Sequence, residues 1–214
     1  MNHKNHSRLS LPAKAFSLCL GALVLAAAPL AHAWSGNAIF KAAQQVAEPG
    51  STVVAATGQV EYAFSPRGGG QALVLKAINS ARSSILVMAY SFTSAPITRA
   101  LLAAHARGVN VGVVVDYKEN IEEDRSGRAR AALSALANAG IAVRTLAAYP
   151  IAHDKVIIVD QSTVETGSFN YSRAAEMSNS ENVIVLWNNP QLAHGFLSHW
   201  ERNWQEGQPF KLGY

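Results

Sequence analysis

The chain has 214 residues, with 18 lysines and arginines against 14 aspartates and glutamates, a net charge of +4 and a single cysteine. That length supports one sizeable hydrophobic core and is short for three domains. A lone cysteine excludes an internal disulfide; removal of a leader over residues 1–33 would also take away Cys19, and with it any cysteine-ligated metal centre, and would leave a net charge of +1, so that affinity for a polyanion would have to come from a local patch.

Lys4, Arg8 and Lys14 precede a nearly unbroken apolar run from Ala15 to Leu30, and Ala31-His32-Ala33 sets small residues at a cleavage point before Trp34. This is the three-part form of a secretory signal peptide over residues 1–33, so cleavage after Ala33 and a periplasmic or secreted destination are expected. A retained membrane anchor is the competing reading. A spanning helix needs about 20 apolar residues; this run is shorter and carries Pro29 near its end, which favours export. The leader removes three of the 18 basic residues and no acidic one, leaving 15 against 14. Cys19 leaves with it, and the remaining histidines are His105, His153, His194 and His199.

Residues 34–58 are mixed and Ala-rich, and read as an adaptable N-terminal segment with one helix. The pattern sharpens from Val60, and 59–214 read as a single domain. "VEYAF" alternates as a strand does; "SPRGGG" (65–70) is a turn, without the Lys-Ser/Thr ending of a nucleotide-binding loop; a helix runs from Gln71 to about Ala81. "SILVMAY" (84–90) has the length of a buried strand. Ser94 and Pro96 start a helix on which Ile97, Ala100, Leu101 and Ala104 share a face, and Gly108 suits its C-terminal cap. "VNVGVVVD" (109–116) is a second buried strand, followed by a charged loop and a helix over 129–139. A strand at 141–146, the segment 153–170, a strand at 181–187 and a helix from Pro190 to about Trp204 complete the chain. Strands alternating with helices of these lengths predict an α/β/α sandwich with a mixed central sheet.

"HDKVIIVDQSTVETGSFN" (153–170) carries the chemistry. Strand alternation puts His153 and Lys155 on one face and Asp154 on the other. An imidazole beside an ammonium is a small electropositive site. Asp160 falls where the strand ends, "TVETGS" reads as a returning strand with Gly167 at a tight turn, and Ser168 and Asn170 read as caps of the short helical stretch after it. Free N–H groups there, with a lysine and an asparagine amide, suit a phosphate. The spacing His153-x-Lys155-x4-Asp160-x6-Gly167-Ser168-x-Asn170 resembles the signature of the phospholipase D superfamily, and the chain is similar to its small, exported, single-motif endonucleases of the Nuc type. The likeness extends over roughly residues 60–205, through "FSPRGGG", "AINSARSSILVMAYSFTSAPITRALLAAHARGVNVGVVVD" and "SENVIVLW".

The resemblance implies a metal-independent phosphodiesterase that needs no cofactor. His153 would attack phosphorus to give a phosphohistidine, Lys155 and Asn170 would hold the non-bridging oxygens, and Ser168 would assist at the phosphate or hold the turn. Asp160 completes the catalytic signature, as a support because it lies beyond the strand. Glu181, opening the next strand, matches the family's acid that orients the nucleophilic ring; an ordinary strand-start acid is the alternative. A second imidazole is needed to protonate the leaving oxygen, and the signature occurs once. His105, His194 and His199 lie on predicted helices without such partners and read as structural. A twofold homodimer bringing two copies of His153 together is therefore expected. The leading substrate is DNA, with RNA left open; a lipid phosphodiesterase using the same residues, a metal-dependent hydrolase using His153 with Asp154 or Asp160, and an inactive nucleic-acid-binding module are the alternatives. Arg125, Arg128, Arg130 and Lys118 form the densest basic cluster, a candidate contact to a nucleic-acid backbone or a solvated face. Trp187, Trp200 and Trp204 read as core or interface packing.

Overall fold

Runs such as Val113–Val115 and Val156–Val159 are β-branched on both faces, which suits strands covered from both sides by helices. The computed structural model describes residues 50–212 apart from Gly68. The expected signal peptide and residues 34–49 of the N-terminal segment lie outside the described residues, and 52–57 carry no regular secondary structure. Thr52–Tyr214 form one unit.

The described strands are β1 (Gln59–Ser65), β2 (Ser84–Ala89), β3 (Asn110–Asp116), β4 (Ala142–Leu146), β5 (Lys155–Val159), β6 (Thr163–Gly167), β7 (Glu181–Trp187) and β8 (Gln208–Pro209). They form a single sheet in the order β1-β7-β6-β5-β2-β3-β4-β8. β2, β3 and β4 run parallel, and every other pairing is antiparallel, so the sheet is mixed as expected. The helices are α1 (Gly70–Ser80), α2 (Ala95–Ala106), α3 (Arg128–Asn138), α4 (Arg173–Met177) and α5 (Pro190–Glu206).

Side-chain alternation sorts the strands into two cores. Ile85, Val87, Val113, Val115, Ile157, Val159, Val183 and Val185 face α1, α2 and α3, where Val74, Ile78, Ile97, Leu101, Leu133 and Leu136 are buried. Met88, Val114, Val156, Ile158 and Val164 face α5 and its Ala193 and Trp200. Full burial of each such aliphatic side chain contributes roughly 1.5–3 kcal/mol. Trp200 donates to the Val87 carbonyl at 3.2 Å and stacks on Trp204 at 4.7 Å between centroids, so both pack in the core layer.

Ser94 caps α2 by accepting from Ile97 N, and Gly108 follows with φ 89°, as expected of a helix stop. Pro66 and Arg67 bend the chain after β1, and Gly70 at the start of α1 lies close to the Phe169 ring, where a Cβ would come within 3.1 Å of it. Three features depart from expectation. The charged loop after β3 holds a π-helical turn, Lys118–Glu122, that buries Asn120. β8, two residues pairing with β4, has too little sequence to carry a periodicity. The cap of α4 is Ser172, accepting from Ala175 N at 3.2 Å, rather than Ser168 or Asn170, which are drawn instead to the sheet end. No helix among the described residues is long and apolar enough to cross a membrane.

Candidate active site

The register brings the start of β5 beside the end of β2 (Lys155 opposite Ala89), the end of β6 beside the start of β7 (Gly167 opposite Val183) and the end of β1 beside Glu181. Residues remote in sequence thus meet at one end of the sheet. Lys155 opens β5 and is 7% exposed. Its ammonium donates to the His153 carbonyl at 3.0 Å and lies 5.2 Å from the centre of the Tyr90 ring. The exposed His153 imidazole rests against that ring from outside, centroids 4.5 Å apart at 59°. Burial depresses the Lys155 pKa below the ordinary lysine value, while the carboxylates of Asp154 and Glu181 pull it back up. Lysine, histidine and tyrosine thus form one layered cluster with the imidazole outermost.

Ser168 and Glu181 form the second half of this sheet end. The Ser168 hydroxyl donates to Glu181 Oε2 at 2.6 Å and accepts from the Asn182 backbone N–H at 3.0 Å. Asn179 Nδ2 donates to Glu181 Oε1 at 2.9 Å. Glu181 is therefore held by Ser168 and Asn179, and among the described residues neither ring nitrogen of His153 has a hydrogen-bond partner. Gly167 sits at a close approach between strands rather than in a tight turn: a Cβ would collide with the Asn182 carbonyl oxygen. Asn170 follows the strand, with its side-chain oxygen buried and unpartnered.

Asp154 points the opposite way, as alternation predicts. Its Oδ2 lies 3.2 Å from His199 Nε2 and 3.3 Å from Asn203 Nδ2, both on α5, and its carbonyl accepts from Tyr90 N at 2.7 Å. His199 also meets Arg202 at 2.7 Å. On the other flank Asp116 accepts from Ala152 N at 2.8 Å, and Asn120 takes Phe92 N at 2.8 Å and donates to the Tyr90 carbonyl. Asp116 thereby holds the backbone before His153, His199 and Asn203 hold the Asp154 side chain after it, and Asn120 holds the Tyr90–Phe92 segment against which the imidazole rests. None of the four was among the expected site residues, because they act across strand order and nothing local in sequence marks them.

Asp160, expected with the catalytic set, lies at the far end of β5, about 16 Å along the strand from Lys155. Its backbone has φ 50° in the β5–β6 turn, a conformation Asp tolerates better than most residues. The carboxylate accepts from the backbone N–H groups of Arg82, Ser83 and Ser84 at 2.8–2.9 Å. It fastens the entry to β2 onto the end of β5 and touches none of the other signature side chains. Burial raises its pKa, but those amides outweigh burial and hold it below the usual aspartate value. His105 lies at the end of α2 and His194 near the start of α5, both away from this sheet end.

Among the described residues, no three His, Cys, Asp or Glu side chains gather closely enough to hold a metal ion. What the cluster offers is an accessible imidazole beside a desolvated cation, with the half-buried Asn170 amide and a carboxylate–hydroxyl pair at the same sheet end. That set suits nucleophilic attack on an anionic centre.

Residues 74–204 match the family described as cardiolipin synthase, PLD-like domain. A solved phospholipase D family member, Nuc from Salmonella typhimurium, is 50% identical with a TM-score of 0.68, over 72% of this chain and 98% of that one. A phospholipase D of Rickettsia bellii is 39% identical over 66% of this chain and 67% of its own length. A mitochondrial cardiolipin hydrolase of Mus musculus is 33% identical over 66% of this chain and 61% of its own.

Proposed function

The chain belongs to the phospholipase D superfamily and is a phosphodiesterase of that family; from this premise we propose that it is a metal-independent endonuclease working through a phosphohistidine at a site shared by two subunits. The observation that carries the reading is the cluster at the sheet end, an exposed His153 tilted against the Tyr90 ring with the buried Lys155 ammonium 5.2 Å from the same ring.

In the proposed reaction a neutral ring nitrogen of His153 attacks phosphorus, forming a P–N bond as the P–O bond to the leaving group breaks. Lys155 and the Asn170 amide bear the non-bridging oxygens, where one well-aimed donor is worth about 3–4 kcal/mol of transition-state stabilisation. Ser168 fixes Glu181, whose negative charge reaches Lys155 and steadies the cationic ring that attack creates. The leaving oxygen takes its proton from the His153 imidazolium of a twofold partner. That second imidazole, now neutral, removes a proton from water in the next step; hydroxide attacks phosphorus and the P–N bond breaks. Both histidines return to their starting states. Asp160 serves as a positioning residue at the far end of β5.

Incubating the protein with supercoiled plasmid in excess chelator tests this reading. Nicking should persist, and His153→Asn should lower it by roughly 10³-fold or more with an unchanged circular-dichroism spectrum. Loss of nicking in chelator, or normal nicking by His153→Asn, would refute it. The names of the Rickettsia and mouse relatives favour a second reading, hydrolysis of a phospholipid by the same residues. Conversion of cardiolipin in vesicles to phosphatidic acid and phosphatidylglycerol without plasmid nicking would select it. A retained signal or cleavage after Ala33, with export, is read out by N-terminal sequencing of the protein from intact cells.

A further inference from the structure

A cavity of about 990 Å³ opens between the start of α2, α3 and α4, on the sheet face that Lys155 shares with Ile157 and Val159. Its lining includes chain neighbours of the active-site residues. Ser91 follows Tyr90, whose ring carries His153, and Ser172 stands two residues beyond Asn170. The volume is at the upper end of what small-ligand clefts offer and exceeds what one scissile diester requires.

Three arginines line it: Arg99 from α2, Arg128 from α3 and Arg173 from α4. All three are exposed, and among the described residues no guanidinium of theirs enters an ion pair. The one carboxylate on the lining, Glu176, is engaged with the Gln71 backbone N–H at 2.9 Å. Between the arginines the wall is apolar, formed by Leu102, Ala131, Ala135 and Met177. The basic cluster noted in the sequence divides here. Lys118 is paired with Glu123 at 3.4 Å and Arg130 with the Ile121 carbonyl at 3.3 Å, Arg125 is not on the lining, and Arg128 faces the cavity.

We propose that this cavity is a subsite for the nucleotides adjoining the scissile phosphate of a single nucleic-acid strand. The inference rests on the nuclease reading above. Unpaired cations on three different helices match a ligand with negative charge repeated along its length, and the small-residue wall between them accepts the faces of unstacked sugars and bases. A lipid headgroup would bring its charge to one spot and leave the other arginines unanswered. Charge on three helices with an apolar wall between them suits a strand whose unpaired bases face the protein, so the subsite also sets a preference for single-stranded or locally opened substrate.

The test compares wild type with the triple variant Arg99→Gln, Arg128→Gln, Arg173→Gln on bis(4-nitrophenyl) phosphate, a short single-stranded oligonucleotide and cardiolipin vesicles. The small diester should be turned over within about twofold of wild type, since the variant leaves the sheet end intact. Oligonucleotide kcat/KM should fall about 10- to 100-fold, mainly through KM. Its dependence on log salt should flatten by about 2, three lost phosphate contacts at roughly 0.7 each for a single strand. Unchanged oligonucleotide kinetics and salt slope in the folded variant would overturn the subsite while leaving the nuclease reading standing. A variant losing only vesicle turnover would give the cavity to a lipid. A wild type that hydrolyses vesicles but no oligonucleotide would overturn the nuclease reading, and this inference with it.

Discussion

Glu165 on β6 is fully enclosed, accepts from the Tyr171 hydroxyl at 2.7 Å on one oxygen and has no partner for the other. Burial pushes its pKa up to about 8 against the weaker pull of the Tyr171 hydrogen bond, and drives the Tyr171 pKa well above the usual tyrosine range. The carboxyl is therefore neutral in the folded chain at pH 7 and ionised in the unfolded one. Between the unfolded value near 4.5 and about 8 the folded state binds the extra proton, so stability falls as pH rises, by at most roughly 1.4 kcal/mol per unit. Denaturant unfolding of wild type and Glu165→Gln at pH 5 to 9 measures this. The wild-type free energy should decline to about pH 8 relative to the variant and then run parallel to it; parallel curves throughout would mean that Glu165 is ionised in the fold. Residue-scale chemistry was legible where it was local. His153, Lys155, Ser168 and Asn170 declare themselves by spacing, whereas the Asp154–His199–Asn203 contacts join residues 45 or more positions apart and have no sequence signal.

The β5–β6 hairpin carries the signature, and its turn shows how elements share the work. Asp160 and Gln161 both have positive φ, and Ser162 N closes the turn on the Val159 carbonyl at 3.0 Å. Because three backbone amides converge on Asp160, Asp160→Ala should cost about 2 kcal/mol or more, the scale of hydrogen bonds to a charged acceptor. Its depressed pKa means that this contribution is present above the ordinary aspartate value and is lost as pH falls through and below it. Turnover of a small diester by the folded variant should stay within a fewfold of wild type. A loss of several hundredfold would show that Asp160 acts on the chemistry rather than on the frame. The longer strands and helices were readable from periodicity to within a residue or two, since alternation and i, i+3, i+4 spacing are local patterns, whereas the short α4 begins at Arg173, several residues after the start expected for it. The π turn at Lys118–Glu122 was not. It exists because Asn120 is drawn inward to bond Phe92, Tyr90 and Asp116.

At the scale of the whole molecule the two faces of the sheet are covered unequally. Among the described residues, helices α1, α2 and α3 with Ala175 of α4 bury one face and α5 is the helix that packs on the other. On the edge strand β1, Val60, Tyr62 and Phe64 remain more than half exposed. The proposed reaction asks for two imidazoles at one phosphate. If subunits share a site, co-refolding wild type with a large excess of His153→Asn should drive activity per wild-type subunit toward zero, because nearly every wild-type chain then has an inactive partner. Self-sufficient monomers would keep their full activity at any mixing ratio, and sedimentation of the same samples reports whether they have associated.

Sequence alone determined the order of the longer strands and helices, the mixed α/β class, the family and the identity of the signature side chains, because each is written in residue type and short-range spacing. Tertiary structure alone decided which of those side chains meet. Strand register carries Glu181 to Ser168, antiparallel pairing sends Asp160 to the far end of β5, and the return of α5 sets His199 and Asn203 against Asp154. Contacts of that kind depend on how distant segments pack to bury their apolar faces, and a chain read one window at a time contains no record of them.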